Sequence, residues 1–173
     1  MTRNNRKIKT LIIGGGFAGL FAAKSLAKRR DVEITLIDKR NFHLFQPLLY
    51  QVATGGLSPG DIAAPIRTVL KRHKNTNVLQ NKVININVKA KNALLENGRQ
   101  IPYDYLLLAT GVTHDYFGNE DWEQFSPGLK TIEDSLEMRC KILSSFELAE
   151  NEKDEKRKKE LLTFVVVGGG PTG

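Results

Sequence analysis

Three glycines near the start of the chain have the spacing of a phosphate-binding turn. Gly14, Gly16 and Gly19 follow the apolar run 11–13 and match the pattern G-x-G-x-x-G. In such a turn the first glycine allows a sharp bend, and the second leaves room for a pyrophosphate beside the backbone N–H groups. The third lets the next helix, whose first N–H groups attract anions, pack closely on the strand. The spacing therefore predicts a dinucleotide-binding turn.

An acidic residue follows at the distance that such a site requires. The run 32–37 is apolar and rich in β-branched residues, and it ends in Asp38. In this class of fold a carboxylate at the end of the second strand binds the hydroxyl groups of an adenosine ribose. Residues 17–29, between the two runs, have the small apolar face of an amphipathic helix. Together these features favour a nucleotide site over an unrelated glycine-rich turn, but they do not distinguish NAD from FAD.

Composition excludes several other classes of protein. The 173 residues are 40% hydrophobic and 26% charged, enough for one globular domain with a sizeable core. No apolar run is long enough to cross a bilayer or to form a secretory signal. The net charge is +7, but the basic residues are scattered and not interleaved with aromatic residues, which disfavours nucleic-acid binding. The single Cys140 rules out an internal disulfide. No metal site is predicted.

The first part of the chain beyond Asp38 predicts a mixture of strands, a helix and a hairpin. Residues 41–59 are apolar and aromatic but broken by proline and glycine, so they predict neither a clean helix nor a clean strand. Residues 61–72 predict a helix with Pro65 in its first turn. Residues 77–88 predict one or two strands, and the dipeptide Asn97-Gly98 predicts a hairpin. This antiparallel piece interrupts a parallel pattern.

The later segments predict a strand, a long helix and a polar connection. Residues 105–109 predict a buried strand. A helix should begin near Thr131, where Asp134 resembles the partner in a capping box. Its apolar stripe consists of Ile132, Leu136, Cys140, Leu143 and Phe146. Residues 151–160 contain no apolar side chain and predict a solvated helix end or loop.

The glycine spacing returns at the end of the chain. Residues 161–167 predict a buried strand, and Gly168, Gly170 and Gly173 follow it directly. The helix that this second turn should open is not in the sequence. We therefore expect the chain to be the N-terminal part of a longer protein.

Two such fingerprints with the sequence LATG between them resemble a two-dinucleotide flavoprotein. The segments GGGFAGL, NFHLFQPLLYQVATGGLSPGDIAAPIR, YDYLLLATGVTHDYFG and TFVVVGGGPTG resemble type II NADH:quinone oxidoreductases, and the similarity covers essentially the whole chain. The most family-specific piece is HLFQPLLYQVATG. The resemblance implies an α/β fold in which residues 1–160 form a Rossmann-like FAD-binding domain with a parallel sheet and an antiparallel β-meander insertion. Residues 161–173 would begin an NAD(H)-binding domain.

The resemblance also implies a role for particular residues, all of them in cofactor binding. Asp38 would hold the adenosine ribose, Lys39 would lie beside it, and the backbone of Val83 would meet the adenine. The residues expected near the FAD diphosphate are Gly14, Gly16, Phe17, Ala18, Gly19, Ala109, Thr110 and Gly111; those near the isoalloxazine ring are Pro47, Leu48 and Gln51; those that begin the NADH site are Gly168, Gly170 and Gly173. No catalytic acid or base is assigned, and we expect His43 to pack or hydrogen-bond rather than to relay protons.

The implied activity is hydride transfer from NADH to FAD followed by two-electron reduction of a membrane quinone. The full-length protein would lie peripherally on the cytoplasmic side of the cell membrane, attached through its C-terminal region, with a homodimer as one option for its assembly. We expect the 173-residue chain alone to hold FAD weakly and to show no turnover. The quinone type, the quinone-site residues and the choice between NADH and NADPH stay open.

Other functions are possible for a chain with these glycine motifs, and particular residues argue against each of them. A disulfide reductase needs a redox pair of cysteines soon after Asp38, and residues 39–60 contain none. Sulfide:quinone and ferredoxin reductases agree with the glycine motifs, but HLFQPLLYQVATG argues against them. A non-enzymatic redox sensor would need only one nucleotide site, so the second fingerprint argues against a sensor.

Overall fold

The computed structural model describes residues 6–169. The chain divides into two compact units. The first unit contains the residues up to Leu44 together with Ala63–Val112, and the second contains Phe45–Ile62 together with the residues from Thr113 onward.

Strands and helices alternate through the first part of the chain, as an α/β fold requires. In chain order the elements are β1 Ile8–Ile13, α1 Phe17–Leu26, β2 Val32–Asp38, β3 Phe42–Leu44, α2 Leu49–Ala53, β4 Ala63–Pro65, α3 Ile66–Leu70, β5 Thr76–Gln80, β6 Val83–Asn87, β7 Asn92–Leu95, β8 Gln100–Pro102, β9 Tyr105–Leu108, α4 Ile132–Asn151 and α5 Glu155–Leu161, with 3-10 turns at Gln46–Leu48, Pro59–Ile62 and Glu120–Gln124. Helix α1 ends at Leu26, three residues before the predicted end at position 29.

The first unit is built on a four-stranded parallel sheet with the order β5-β2-β1-β9. Strand β1 lies in the middle, with Ile12 opposite Leu36 of β2 and Leu107 of β9. Because the sheet is parallel, the chain crosses over through α1 to return from β1 to β2. The predicted parallel α/β architecture is confirmed.

Alternation of side chains along the strands divides the core of this unit into two clusters. One face of the sheet packs against α1 and α3, and its buried residues are Ile12, Leu20, Ala23, Val32, Ile34, Leu36, Ile66 and Leu70. The other face packs against the antiparallel strands, and its buried residues are Leu11, Ile13, Ile37, Ala93, Leu95, Ile101 and Tyr103. Both faces of a parallel sheet are normally covered, which explains why β1 and β2 are apolar almost throughout.

The antiparallel meander was correctly predicted. Strands β6, β7 and β8 form a three-stranded sheet in sequence order. The turn between β7 and β8 contains Gly98 in a left-handed conformation with φ +82°. Glycine adopts that conformation without a steric penalty, as the Asn97-Gly98 prediction requires.

The predicted helix over residues 61–72 is wrong in its first half. Residues 63–65 form β4, which pairs antiparallel with β3, and only Ile66–Leu70 are helical. Pro65 is the N-cap of α3 and not a residue of its first turn. A residue before proline is pushed toward an extended conformation, so Ala64 favours the strand. Of the apolar residues that suggested the helix, Ile62 lies in the 3-10 turn Pro59–Ile62, and Ile66, Val69 and Leu70 lie in α3.

Strand β9 is less buried than predicted. It pairs with β1 on one side and lies at the edge of the described sheet. Tyr105 is 65% exposed and Leu108 is 59% exposed. An edge strand can have the apolar composition of a central one, so composition alone did not reveal its position.

The second unit is mainly helical. Helix α4 begins as predicted, because the Thr131 hydroxyl accepts from the Asp134 backbone N–H at 3.1 Å and the Asp134 carboxylate accepts from the Thr131 N–H at 2.9 Å. This complete capping box uses Asp where Glu or Gln is usual. Among the described residues, no helix is long and apolar enough to cross a membrane.

The apolar stripe predicted on α4 is largely exposed. Leu136, Leu143 and Phe146 are 41%, 52% and 50% exposed, whereas the fully buried positions of the helix are Ser135 and Ala149. The Ser135 hydroxyl is satisfied by donating to the Ile132 carbonyl at 2.7 Å. The buried positions of the helix therefore carry small side chains and are not those of the predicted apolar stripe.

The strand predicted over residues 161–167 is not formed in the described part of the chain. Leu161 is the last residue of α5, and residues 163–168 have no regular secondary structure. Thr163 donates from its hydroxyl to the Lys159 carbonyl at 2.6 Å, and Phe164 stacks on Phe146. Pairing partners are what convert a β-prone run into a strand, and no described strand pairs with this one. Gly170 and Gly173 lie outside the described residues.

Candidate functional site

The glycine turn lies at the carboxyl end of β1, in the first unit. Gly14 has φ +107°, and its N–H donates to the Ile37 carbonyl at 2.8 Å. A Cβ on Gly14 would lie 2.1 Å from the Ala109 carbonyl oxygen, and a Cβ on Gly19 would lie 1.8 Å from the Gly14 carbonyl oxygen. Packing within the protein therefore requires glycine at both positions.

Gly16 is different, because no described neighbour comes within 4 Å of where its Cβ would lie. It is the N-cap of α1 with φ −71°, a value that any residue adopts. Among the described residues no side chain caps this helix, and its first turn contains no acidic residue. The helix start is thus open, uncapped and positive, as an approaching pyrophosphate would require. These residues fit a dinucleotide.

Asp38 lies directly beside the turn. One carboxylate oxygen accepts from the Gly15 N–H and the other accepts from the Arg40 N–H at 2.7 Å. A carboxylate offers about four acceptor directions, so two remain for the hydroxyl groups of a ribose. The Asp38 carbonyl also accepts from the Asn81 N–H at 2.9 Å, which holds the end of β2 next to the segment that leads to Val83.

The other predicted residues of the first unit fall into three groups. Ala109 is brought to the turn, because its N–H donates to the Ile13 carbonyl at 2.8 Å, and Thr110 and Gly111 follow it, with Gly111 at φ +75°. Phe17 and Ala18 are exposed at the start of α1. The remaining two are Lys39, whose carbonyl accepts from Gln80 at 3.5 Å, and Val83, which is half-buried on the meander side of the sheet.

Pro47, Leu48 and Gln51 lie in the second unit. Pro47 and Leu48 belong to the 3-10 turn before α2, and Gln51 lies within α2. The Gln51 side-chain amide donates to the Tyr50 hydroxyl at 2.9 Å, and the backbone carbonyl of Gln51 accepts from the Gly56 N–H at 2.7 Å. Gly168, in the same unit, has φ +100°, close to the value at Gly14. Their roles in binding stay predictions.

Gly15 is a site residue that the spacing pattern did not single out. A Cβ there would lie 2.4 Å from Ile66 Cδ1 and 3.2 Å from the nearer Asp38 carboxylate oxygen. The space beside Gly15 is therefore filled by Ile66 of α3 and by the Asp38 carboxylate. The signal in the sequence was the third glycine in the run 14–16, which the pattern G-x-G-x-x-G does not demand.

Shifted pKa values lie away from the glycine turn. The Lys9 N–H, near the start of β1, donates to the Asp104 carboxylate, which directly precedes β9, and lowers the pKa of Asp104. In the second unit burial raises the pKa of Tyr116, with help from nearby acidic groups. Burial also opposes ionisation of Asp134, but hydrogen bonds from the Thr131 hydroxyl and from backbone N–H groups outweigh it and lower that pKa. None of these groups belongs to the predicted site.

Comparison with known proteins agrees with this geometry. Residues 8–173 match the family model described as pyridine nucleotide-disulphide oxidoreductase. The chain belongs to this family. Its single cysteine, Cys140, is free and exposed on α4, so the chain has no pair of thiols for disulfide exchange.

Several proteins that are similar to this chain are named as quinone oxidoreductases. It is 51% identical over 171 residues to the type II NADH:quinone oxidoreductase Ndh of Mycobacterium tuberculosis, a match that covers 97% of this chain and 37% of that protein. The solved structure of NDH2 from Plasmodium falciparum in complex with NADH matches with a TM-score of 0.75 and 28% identity, over 90% of this chain and 32% of that one. The sulfide:quinone oxidoreductase of Aquifex aeolicus matches with a TM-score of 0.73 and 30% identity, over 81% of this chain and 32% of that one.

The resemblance to type II NADH:quinone oxidoreductases is confirmed by these matches. The chain spans 37% of the length of the mycobacterial relative. The match to solved structures also agrees with the parallel sheet and the antiparallel strands described above.

Proposed function

We propose that this chain is the FAD-binding part of a type II NADH:quinone oxidoreductase. One observation carries the proposal: the start of α1 is uncapped and open at Gly16, and the Asp38 carboxylate lies beside it. A pyrophosphate needs backbone N–H groups and positive potential, and an adenosine ribose needs a carboxylate one strand away. The first unit offers both groups at one end of its sheet.

In this proposal the protein binds and orients, and the flavin does the redox chemistry. The pyrophosphate would lie on Gly14–Gly19 and on the backbone at Ala109–Gly111, with Asp38 and Lys39 at the adenosine end and Val83 at the adenine. Pro47, Leu48 and Gln51 would contribute to the isoalloxazine side. The chemistry that FAD supplies when bound is hydride acceptance from NADH and two-electron delivery to a quinone.

NADH and a membrane quinone are the proposed substrates of the full-length protein. Support comes from the relative named NADH:quinone oxidoreductase and from the solved relative in complex with NADH. The stretch 161–173 would begin the NADH domain, with Gly168, Gly170 and Gly173 at its pyrophosphate. We further propose peripheral attachment to the cytoplasmic side of the membrane and a homodimeric assembly.

The flavin test uses the full-length protein that carries this chain. Purified protein should show flavin absorbance bands that bleach with NADH under anaerobic conditions and recover on addition of a soluble quinone. Asp38→Asn should raise the Kd of FAD about tenfold or more, because it removes a charged acceptor from the ribose. Asp31→Asn is the matched control, since Asp31 is an exposed residue paired with Arg29. Bands that NADH fails to bleach would overturn the proposal.

A sulfide:quinone oxidoreductase is the second candidate, because the Aquifex aeolicus enzyme matches this chain with a TM-score of 0.73. The two candidates differ in the electron donor. The same absorbance experiment decides between them, since sulfide and not NADH would then bleach the flavin bands.

A further inference from the structure

The peptide groups of Gly15 are held from both sides by side chains far along the sequence. Its N–H donates to the Asp38 carboxylate, and its carbonyl oxygen lies 3.0 Å from Nδ1 of His43. A carbonyl oxygen can only accept, so Nδ1 of His43 carries the hydrogen and donates it. Gly15 thus makes a donor contact and an acceptor contact with two different side chains. Neither contact follows from the glycine spacing.

The His43 ring is held in place by its surroundings as well as by that hydrogen bond. Its edge-to-face contact with Phe17 has a centroid distance of 4.9 Å and an interplanar angle of 86°. His43 lies in β3 opposite Ala64 of β4, and the Ile66 N–H donates to the Asn41 carbonyl at 3.0 Å. The β3–β4 ribbon therefore brings His43 to the turn and sets Ile66 beneath it.

The two contacts of Gly15 with Asp38 and His43 affect the start of α1, because Gly15 immediately precedes the N-cap of this helix. The orientation of the Gly15 carbonyl determines how the next N–H, that of Gly16, points. Among the described residues no side chain caps α1, so its own start carries no group that would hold these N–H groups in place. A helix end whose N–H groups are oriented in advance binds an anion with less loss of entropy.

We propose that His43 is a positioning residue for the cofactor, acting through the Gly15 carbonyl on the N–H groups that face the pyrophosphate. This inference rests on the proposed function, since it assumes that FAD binds at the turn. The described contacts of His43 are with the Gly15 carbonyl and the Phe17 ring. The Asp38 carboxylate fixes the other peptide group of Gly15 by accepting from the Gly15 N–H.

The test compares His43→Phe with His43→Gln in the full-length protein. Phenylalanine keeps the contact with Phe17 but cannot donate a hydrogen bond, whereas the glutamine amide can. We expect His43→Phe to raise the Kd of FAD about tenfold and His43→Gln to restore most of the affinity. His73→Phe is the control, because His73 contributes a backbone hydrogen bond to Leu70 after α3 and should leave the Kd unchanged.

Two further measurements separate positioning from general stability. The free energy of unfolding of the apoprotein should fall in both variants, because His43→Phe loses the hydrogen bond to Gly15 and His43→Gln loses the ring contact with Phe17, while only the first loses FAD affinity. Long-range ¹H–¹⁵N correlation should show the His43 tautomer protonated at Nδ1. An unchanged Kd in His43→Phe, or a tautomer protonated only at Nε2, would overturn the inference while leaving the proposed function standing. A wild-type protein that binds no FAD would overturn both.

Discussion

The two glycine-rich stretches of this chain have nearly the same sequence pattern and very different structures. Residues 8–19 form a buried strand, a turn and a helix start, whereas residues 163–169 are exposed and irregular. Ile12 is completely buried, while Val166 is 67% exposed. The first stretch has β2 and β9 on either side, and no described strand pairs with the second. A β-prone run followed by glycines forms a strand and a packed turn only when neighbouring strands pair with it.

The largest expected difference concerns the apolar residues before each turn. Ile12→Ala should lower the free energy of unfolding by about 4 kcal/mol, because it leaves a cavity between β1 and α1. Val166→Ala should change it by less than about 0.5 kcal/mol, since the side chain is exposed. Urea denaturation of both variants measures the difference. Equal losses would mean that the second stretch is packed as tightly as the first.

The next comparison uses two glycines with similar positive φ angles. Gly14 has φ +107° and Gly168 has φ +100°, but only a Cβ on Gly14 would strike a carbonyl oxygen, that of Ala109. Gly14→Ala should therefore cost about 3 kcal/mol of unfolding free energy. Gly168→Ala, which has no described neighbour within 4 Å of its Cβ position, should cost about 1 kcal/mol or less. Thermal or urea unfolding of the two variants checks this, and a larger loss at Gly168 would contradict it.

Gly16 should separate affinity from stability. Serine is a favoured N-cap residue, and no described neighbour would meet its Cβ, so Gly16→Ser should keep the free energy of unfolding within about 0.5 kcal/mol. Its side chain would nevertheless occupy the space that we assign to the pyrophosphate. We expect the Kd of FAD, measured by titration calorimetry, to rise about tenfold or more. Retained affinity would show that the phosphate does not approach this residue.

The smallest effect concerns how each stretch is anchored at its start. The Asp104 carboxylate accepts from the Lys9 N–H at 2.8 Å and from Arg6 at 2.7 Å, whereas Thr163 is tied to backbone carbonyls that do not titrate. The Lys9 hydrogen bond lowers the pKa of Asp104 from its ordinary value of 3.8. Its contribution to stability is therefore present above that ordinary value and is lost as the pH falls through the lowered pKa.

Asp104→Asn tests this anchor. The variant should have a slightly lower urea midpoint than the wild type at neutral pH, and the gap should narrow below about pH 4. Thr163→Val, which removes a hydroxyl that does not titrate, is the control and should show a gap that does not depend on pH. A gap for Asp104→Asn that stays constant down to acid pH would contradict the assignment.

Much of the first unit could be predicted from local patterns. The turn at Gly14–Gly19, the acid at Asp38 and the hairpin at Asn97-Gly98 each depend on residues close together in sequence, and so does the capping box at Thr131 in the second unit. The two secondary-structure predictions that were wrong share a different cause. The helix proposed over 61–72 and the strand proposed over 161–167 depend on which distant segment pairs with them, and periodicity does not report a pairing partner.

The sequence alone determined where a dinucleotide turn could form and which family the chain resembles, because glycine spacing and short motifs encode local backbone geometry. Only the tertiary structure decided which β-prone runs became strands and that β9 is an edge of the described sheet. It also brought Asp38, His43 and Ile66 together around Gly15. The physical reason is that hydrogen bonds and burial between distant segments exist only after the chain has folded, so they leave no spacing rule in the sequence.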